Sequence, residues 1–242
     1  DFDPENIQLF EGHVGGGFGI RGELYPEDIL VCLAAIKLRR PIKWIEDRRE
    51  HLTAANHSRG QFHHVKAAID RTGFILALDD EFWYDQGAYV RTHAATVPEM
   101  TASMLPGPYV IPAYRSVGHI RLTNKTPAGT YRAPGRFEGT FVRERLMDEI
   151  SRQLGYDPIK LRRVNFIPSA DMPFDRQVDA LGTKVVYDSG VYEDLLDRLL
   201  SYVGYENLCR ELESRKQIGE SVGLGIAYFV EKSGLGPFDD VV

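Results

Sequence analysis

The chain has 242 residues and a formal net charge of −6, with 43% hydrophobic and 26% charged residues. That is an ordinary globular composition, long enough for one large domain or two small ones around a substantial core. The acidic balance excludes the clustered Lys and Arg of a nucleic-acid-binding face. No apolar run reaches the roughly 18 residues of a membrane-spanning helix, and there is no signal peptide.

Two cysteines occur, Cys32 and Cys209. Two isolated thiols cannot ligate an iron–sulfur cluster or a structural zinc, and Cys32, inside an apolar run, reads as a buried small hydrophobe. Their scarcity suits a reducing, cytoplasmic compartment. The sequence opens at Asp1 without Met and closes after Asp239 and Asp240 in what reads as the start of a strand. It reads as the middle of something longer.

In chain order, Asp3 to Asn6 reads as a turn and Ile7 to Phe10 as a strand. Five glycines follow in the eight positions from Gly15 to Gly22, at a density that lets backbone N–H groups approach an anion. Pro26, Glu27 and Asp28 open a helix whose body, Ile29 to Ile36, is apolar nearly all round and is expected to be buried. The basic run Lys37 to Arg40 caps its C-terminus. A strand from Pro41 to Ile45 and a charged turn or short helix from Glu46 to Glu50 follow. Gln61 to Asp70 and Phe74 to Tyr84 make a hairpin, with Val65, Ala67 and Ile69 on one face and a turn at Arg71, Thr72 and Gly73.

A helix is expected within Ala94 to Leu105, stopped by Pro106, Gly107 and Pro108. A strand runs from Val117 to Thr123. A helix from Arg136 to Leu154 carries an apolar stripe of Phe137, Phe141, Val142, Leu146, Ile150 and Leu154, and Gly155 ends it. Asp157 and Pro158 start a short basic helix to Phe166. Helices at Val191 to Val203 and Tyr205 to Lys216 and a strand at Gly223 to Glu231 complete an α+β chain of mixed sheets and packed helices.

The seven histidines, at 13, 51, 57, 63, 64, 93 and 119, form no metal-ligand spacing. His63 and His64 are neighbours on a strand and point to opposite faces. The paired acids Glu46-Asp47 and Asp79-Asp80-Glu81 are candidates for acid/base work, with a solvated face as the favoured reading beside their charged neighbours. The glycine run lacks the Gly-Lys-Ser/Thr of a P-loop and the downstream acid of a dinucleotide fold, and no G-x-S-x-G elbow occurs. Two stretches resist explanation by packing. One is Gly15 to Gly19. The other is Gly129-Thr130-Tyr131-Arg132-Ala133-Pro134-Gly135, a constrained loop feeding a long helix. Two such loops, each leading to a helix N-terminus, can clamp one anionic group from two sides.

Val14 to Gly19, Pro41 to Glu50 and Thr130 to Gly135, in this order and spacing, resemble the molybdenum-cofactor-binding large subunit of the xanthine oxidase family. Aldehyde oxidoreductases, aerobic carbon monoxide dehydrogenases and dehydrogenases of N-heteroaromatics belong to it. Gly19 to Asp28 looks most like the bacterial members acting on quinoline- or nicotine-like rings. The resemblance covers essentially the whole chain and implies that 1–242 is the first half of a molybdopterin-binding region. It implies an oxidoreductase that hydroxylates an aldehyde or N-heterocycle with water as oxygen source. The cofactor would be molybdopterin, with the cytosine dinucleotide as its candidate form and no protein side chain ligating the metal directly. Electrons would leave through Fe–S and FAD partners.

The same resemblance carries cofactor contacts to Gly16, Gly17, Phe18, Gly19, Tyr131, Arg132 and Ala133. It puts the general-base Glu beyond Val242, so the segment alone is expected to be inactive. Pocket positions fall at Gly22, Glu23, Met100 and Pro134. There the purine oxidisers' Glu, purine-pairing Arg and sandwiching aromatic ring are replaced by Gly22, Met100 and Pro134. Xanthine is therefore disfavoured, and the absence of Cys at Ala133-Pro134 disfavours a Mo–Cu site. The rival reading is a non-catalytic scaffold subunit that keeps the fold without the cofactor.

Overall fold

A computed structural model describes residues 3–231. The strand expected around Asp239 and Asp240 lies outside the described residues. The hairpin forms as its alternation requires: β1 (Gln61–Ile69) pairs antiparallel with β2 (Ile75–Gly87), with Gln61 opposite Tyr84. Asp70 closes the turn by accepting hydrogen bonds from the Thr72 and Phe74 N–H groups at 2.7 and 3.0 Å. The chain then crosses through helix α3 (Thr96–Met104) to add β3 (Ala113–Leu122) parallel to β2, giving a sheet of order β1-β2-β3. His63 and His64 do face opposite ways, His63 half-buried and His64 exposed.

Helix α4 (Arg136–Leu154) and α5 (Pro158–Asn165) pack behind this sheet. Ile75, Leu78, Leu105, Tyr109, Met147 and Leu161 form the main core. The apolar stripe read along α4 is corrected in part. Val142, Leu146 and Ile150 do pack on the core, but Phe137 and Phe141 are exposed, and Glu138, Arg143 and Glu144 are buried instead. The reason is an ionic core that a hydrophobic period does not register. Glu144 accepts from Arg143 Nε at 3.1 Å and from Arg162 Nε at 2.9 Å, and Tyr109 donates its hydroxyl to it at 2.9 Å.

Asp157 caps α5 as its sequence requires, one carboxylate oxygen accepting from the Ile159 and Lys160 N–H groups at 3.0 and 2.8 Å. Asp157→Ala is expected to lower stability by about 1 kcal/mol in chemical denaturation, the usual worth of such a cap.

After α5, a second hairpin of β4 (Phe174–Ala180) and β5 (Thr183–Tyr187) covers α3 and buries Ala180, Val185 and Tyr187 with Met100, Met104 and Ile167. Sequence reading misses it because its turn places Leu181 at φ 53°, a conformation normally signalled by Gly or Asn. Helices α6 (Tyr192–Val203) and α7 (Tyr205–Gln217) follow.

Four further expectations are corrected. Ile7 to Phe10, Pro41 to Ile45 and Gly223 to Glu231 join no sheet, since no described strand lies beside them to complete a ladder. The helix from Pro26 forms (α1, Pro26–Leu38), but Ile29, Leu30, Cys32, Leu33 and Ile36 are exposed rather than buried. The described residues leave that helix uncovered, so composition alone misplaces it.

Candidate functional site

The two unusual loops meet. In the first, Phe18 adopts φ 53° between Gly16 and Gly19, and its ring folds back until a Cβ on Gly16 would stand 3.1 Å from it. The loop does not run straight into an α-helix, as its sequence suggests. A single 3₁₀ turn, Ile20–Gly22, intervenes before α1. In the second loop Arg132 donates its backbone N–H to the Phe18 carbonyl at 2.9 Å. Its guanidinium sits 5.4 Å from the Phe18 ring centroid. Gly19 makes the approach possible: at φ 85°, a Cβ there would lie 2.7 Å from Thr130 Cγ2. Gly135 (φ 72°) then turns the chain into α4 where a Cβ would strike the Val97 carbonyl oxygen at 2.3 Å.

A third wall, Ala55 to Arg59, was not legible in the sequence. It follows α2 (Arg48–Ala54), whose N-terminus is closed by reciprocal bonds between Asp47 and Glu50. Arg59 is held at φ 74° and works as a clamp. Its Nη2 donates to the Arg132 carbonyl at 2.6 Å and its Nη1 to buried Glu138 at 3.1 Å. The guanidinium also lies over the Phe137 and Tyr131 rings, 4.3 and 5.4 Å from their centroids. An Arg before a Gly carries no motif, so only the tertiary fold reveals this role.

Between these walls lies a cleft of about 580 Å³ whose lining includes Phe18, Arg48, His51, Arg59, Tyr131 and Arg132. A second cleft of about 340 Å³, bordered by Gly16, Gly17, Arg21 and Glu46, meets it at Phe18, Ile20, Arg48 and His51. The larger cleft is lined by Arg48, Arg59 and Arg132 and by no carboxylate, whereas the smaller balances Arg21 and Arg48 with Glu46 and Asp47. Glu46 is engaged by His51 at 2.8 Å and by Arg21 at 3.7 Å, and Arg59 is matched by Glu138. Among the described residues the guanidinium groups of Arg48 and Arg132 meet no carboxylate. A cleft with two uncompensated guanidinium groups is suited to an anionic ligand.

Tyr25 pins the glycine loop to the third wall. Its hydroxyl donates to the Ile20 carbonyl at 3.1 Å and accepts from the Asn56 N–H at 3.3 Å. Burial pushes the phenol up from its ordinary value, while the Asn56 hydrogen bond and Arg91, 4.3 Å above the ring, pull it back.

The four pocket positions do not form one surface. Gly22 is exposed, with the His93 ring 3.6 Å from where its Cβ would be. Glu23 is 5% exposed and accepts from the His93 N–H at 3.4 Å, next to Gly129. Pro134 is buried, and Met100 lies wholly inside the core below Gly135.

Residues 1–166 match the family model described as the molybdopterin cofactor-binding domain. The chain is 37% identical over 237 residues to the 6-hydroxypseudooxynicotine dehydrogenase complex subunit gamma of Paenarthrobacter nicotinovorans, covering 98% of this chain and 30% of that protein. It is 32% identical to the carbon monoxide dehydrogenase large chain of Hydrogenophaga pseudoflava, over 97% of this chain and 29% of that one. Among solved structures, quinoline 2-oxidoreductase from Pseudomonas putida 86 superposes with a TM-score of 0.82 at 33% identity, covering 89% of this chain and 27% of that one. The chain thus spans under a third of the length of these relatives. It belongs to the molybdopterin cofactor-binding domain family of molybdenum hydroxylase large subunits.

Proposed function

We propose that this chain is the part of a large subunit that holds molybdopterin, as its cytosine dinucleotide, in a cytoplasmic oxidoreductase hydroxylating an aldehyde or N-heteroaromatic substrate. Fe–S and FAD partners take the electrons, and the base comes from the subunit beyond Val242. The observation that carries this reading is the Arg132–Phe18 backbone bond, which joins the two loops at the edge of a positively charged cleft. The glycine loop offers backbone close to that cleft, and the unpaired Arg132 and Arg48 groups match the anionic character of the cofactor. Gly16, Gly17, Phe18 and Gly19 would hold it on one side, and Tyr131, Arg132 and Ala133 on the other. When bound, the cofactor supplies hydroxylation chemistry with water as the oxygen source, while the protein orients and neutralises. Quinoline in the name of the structural relative supports the N-heteroaromatic class. Glu23 and Gly22 are the positions we assign to substrate selection, beside His93.

The test is molybdenum content in the complete assembly. Arg132→Ala, purified with its partner subunits, is expected to lose most of its molybdenum, by about tenfold for each 1.4 kcal/mol of lost binding, while the complex stays assembled. Assembly with wild-type molybdenum in the Arg132→Ala complex contradicts the assignment of Arg132. A wild-type complex free of molybdenum is the outcome a scaffold subunit would give.

A further inference from the structure

His51 stands where the two clefts meet and touches both. It is half-buried, and its Nδ1 lies 2.8 Å from Glu46 Oε2. A carboxylate only accepts, so Nδ1 carries the proton and donates it. Neutral imidazole has one donor and one acceptor nitrogen, which leaves Nε2 as an acceptor. No described residue bonds Nε2. Glu46 is itself held in place, since Arg21 approaches the same oxygen at 3.7 Å. Arg48 and Arg132 in the clefts are donors, as is the backbone of the glycine loop, while the lining also carries Asp47, Asn56, His57, Ser58 and Tyr131, which can accept. His51 is the histidine that lines both clefts, and Glu46, by taking the Nδ1 proton in a hydrogen bond, decides that Nε2 is the ring nitrogen left to accept.

We propose that Nε2 of His51 accepts a hydrogen bond from a ring or amino N–H of the pterin bound between the loops, with Glu46 as its positioning residue. The inference rests on the reading given under Proposed function. An anion clamp alone would recognise any phosphate-sized group. An acceptor beside Phe18 adds selection for a ligand that carries N–H donors, as a pterin does and inorganic phosphate does not.

The experiment uses the complete multisubunit enzyme, prepared from a host that makes the pterin and from one that cannot. Diethyl pyrocarbonate acylates an unprotonated, accessible imidazole nitrogen, and peptide mass spectrometry reads the extent at His51. Strong labelling is expected in cofactor-free enzyme and suppressed labelling in loaded enzyme. This arm needs no variant, so it stands whether or not substitutions fold. In parallel, His51→Leu is expected to retain roughly three- to tenfold less molybdenum after dialysis, the effect of one lost hydrogen bond, whereas His51→Gln, which keeps an acceptor, retains most of it. Glu46→Leu is expected to fall between them. Equal labelling of His51 in the two preparations, or full molybdenum retention by His51→Leu, overturns the proposal. Wild-type enzyme without molybdenum overturns the underlying cofactor reading, and this inference with it.

Discussion

Glu144→Ala is expected to destabilise the fold by about 3–5 kcal/mol, because it strands two guanidinium groups in the interior. Glu144 is 4% exposed, and its two carboxylate oxygens meet Arg143 and Arg162, which are 2% and 0% exposed. Arg162 keeps bonds to Asp148 and to the carbonyl oxygens of Pro158 and Ile226, and Arg143 keeps those to Leu105 and Tyr228. Those acceptors are mostly neutral and do not replace the lost charge. Urea denaturation monitored by circular dichroism measures the effect, and a loss below about 1 kcal/mol would show that the network is not a buried ionic core. The consequence reaches the candidate site, since α4 is the helix that the Arg132 loop feeds.

Gly19→Val is the second large effect, and it acts at the loop junction itself. At φ 85° a β-branched residue is strained by about 1–3 kcal/mol. Its Cβ would also stand 2.7 Å from Thr130 Cγ2 and 3.4 Å from the Arg132 nitrogen. The Thr130 side chain must give way, and the added methyl groups press on the Arg132 backbone, which weakens the bond from Arg132 N–H to the Phe18 carbonyl. Molybdenum content of the assembled enzyme is expected to drop about tenfold or more, while the unfolding free energy falls by no more than the roughly 1–3 kcal/mol of local strain. Undiminished molybdenum would mean that closure of the loops does not matter for binding.

Much of this was readable from residues alone. Gly135 and Gly155 frame α4, Asp157 and Pro158 open α5, and alternation from Gln61 to Tyr84 defines the hairpin, because each of these is local chemistry. The two loops were legible as unusual, and the structure joins them through the Arg132 N–H to Phe18 carbonyl bond, with Gly16 and Gly17 on the smaller cleft, Tyr131 and Arg132 on the larger, and Phe18 on both. What was hidden is tertiary. Arg59 becomes part of the site only because its backbone turns left-handed and delivers its side chain to the Arg132 carbonyl. The inward face of α4 is charged, so counting apolar residues put Phe137 and Phe141 on the wrong side. The apolar body of α1 promised burial, yet the described residues provide nothing to bury it against. Met100 falls at a pocket position by resemblance and lies in the core by packing.

The most direct measurement is an anomalous difference map at the molybdenum absorption edge from crystals of the complete enzyme. A single strong peak per large subunit is expected in the cleft between the Gly17–Gly19 backbone and Arg132. A peak elsewhere in the subunit, with that cleft empty, would contradict it.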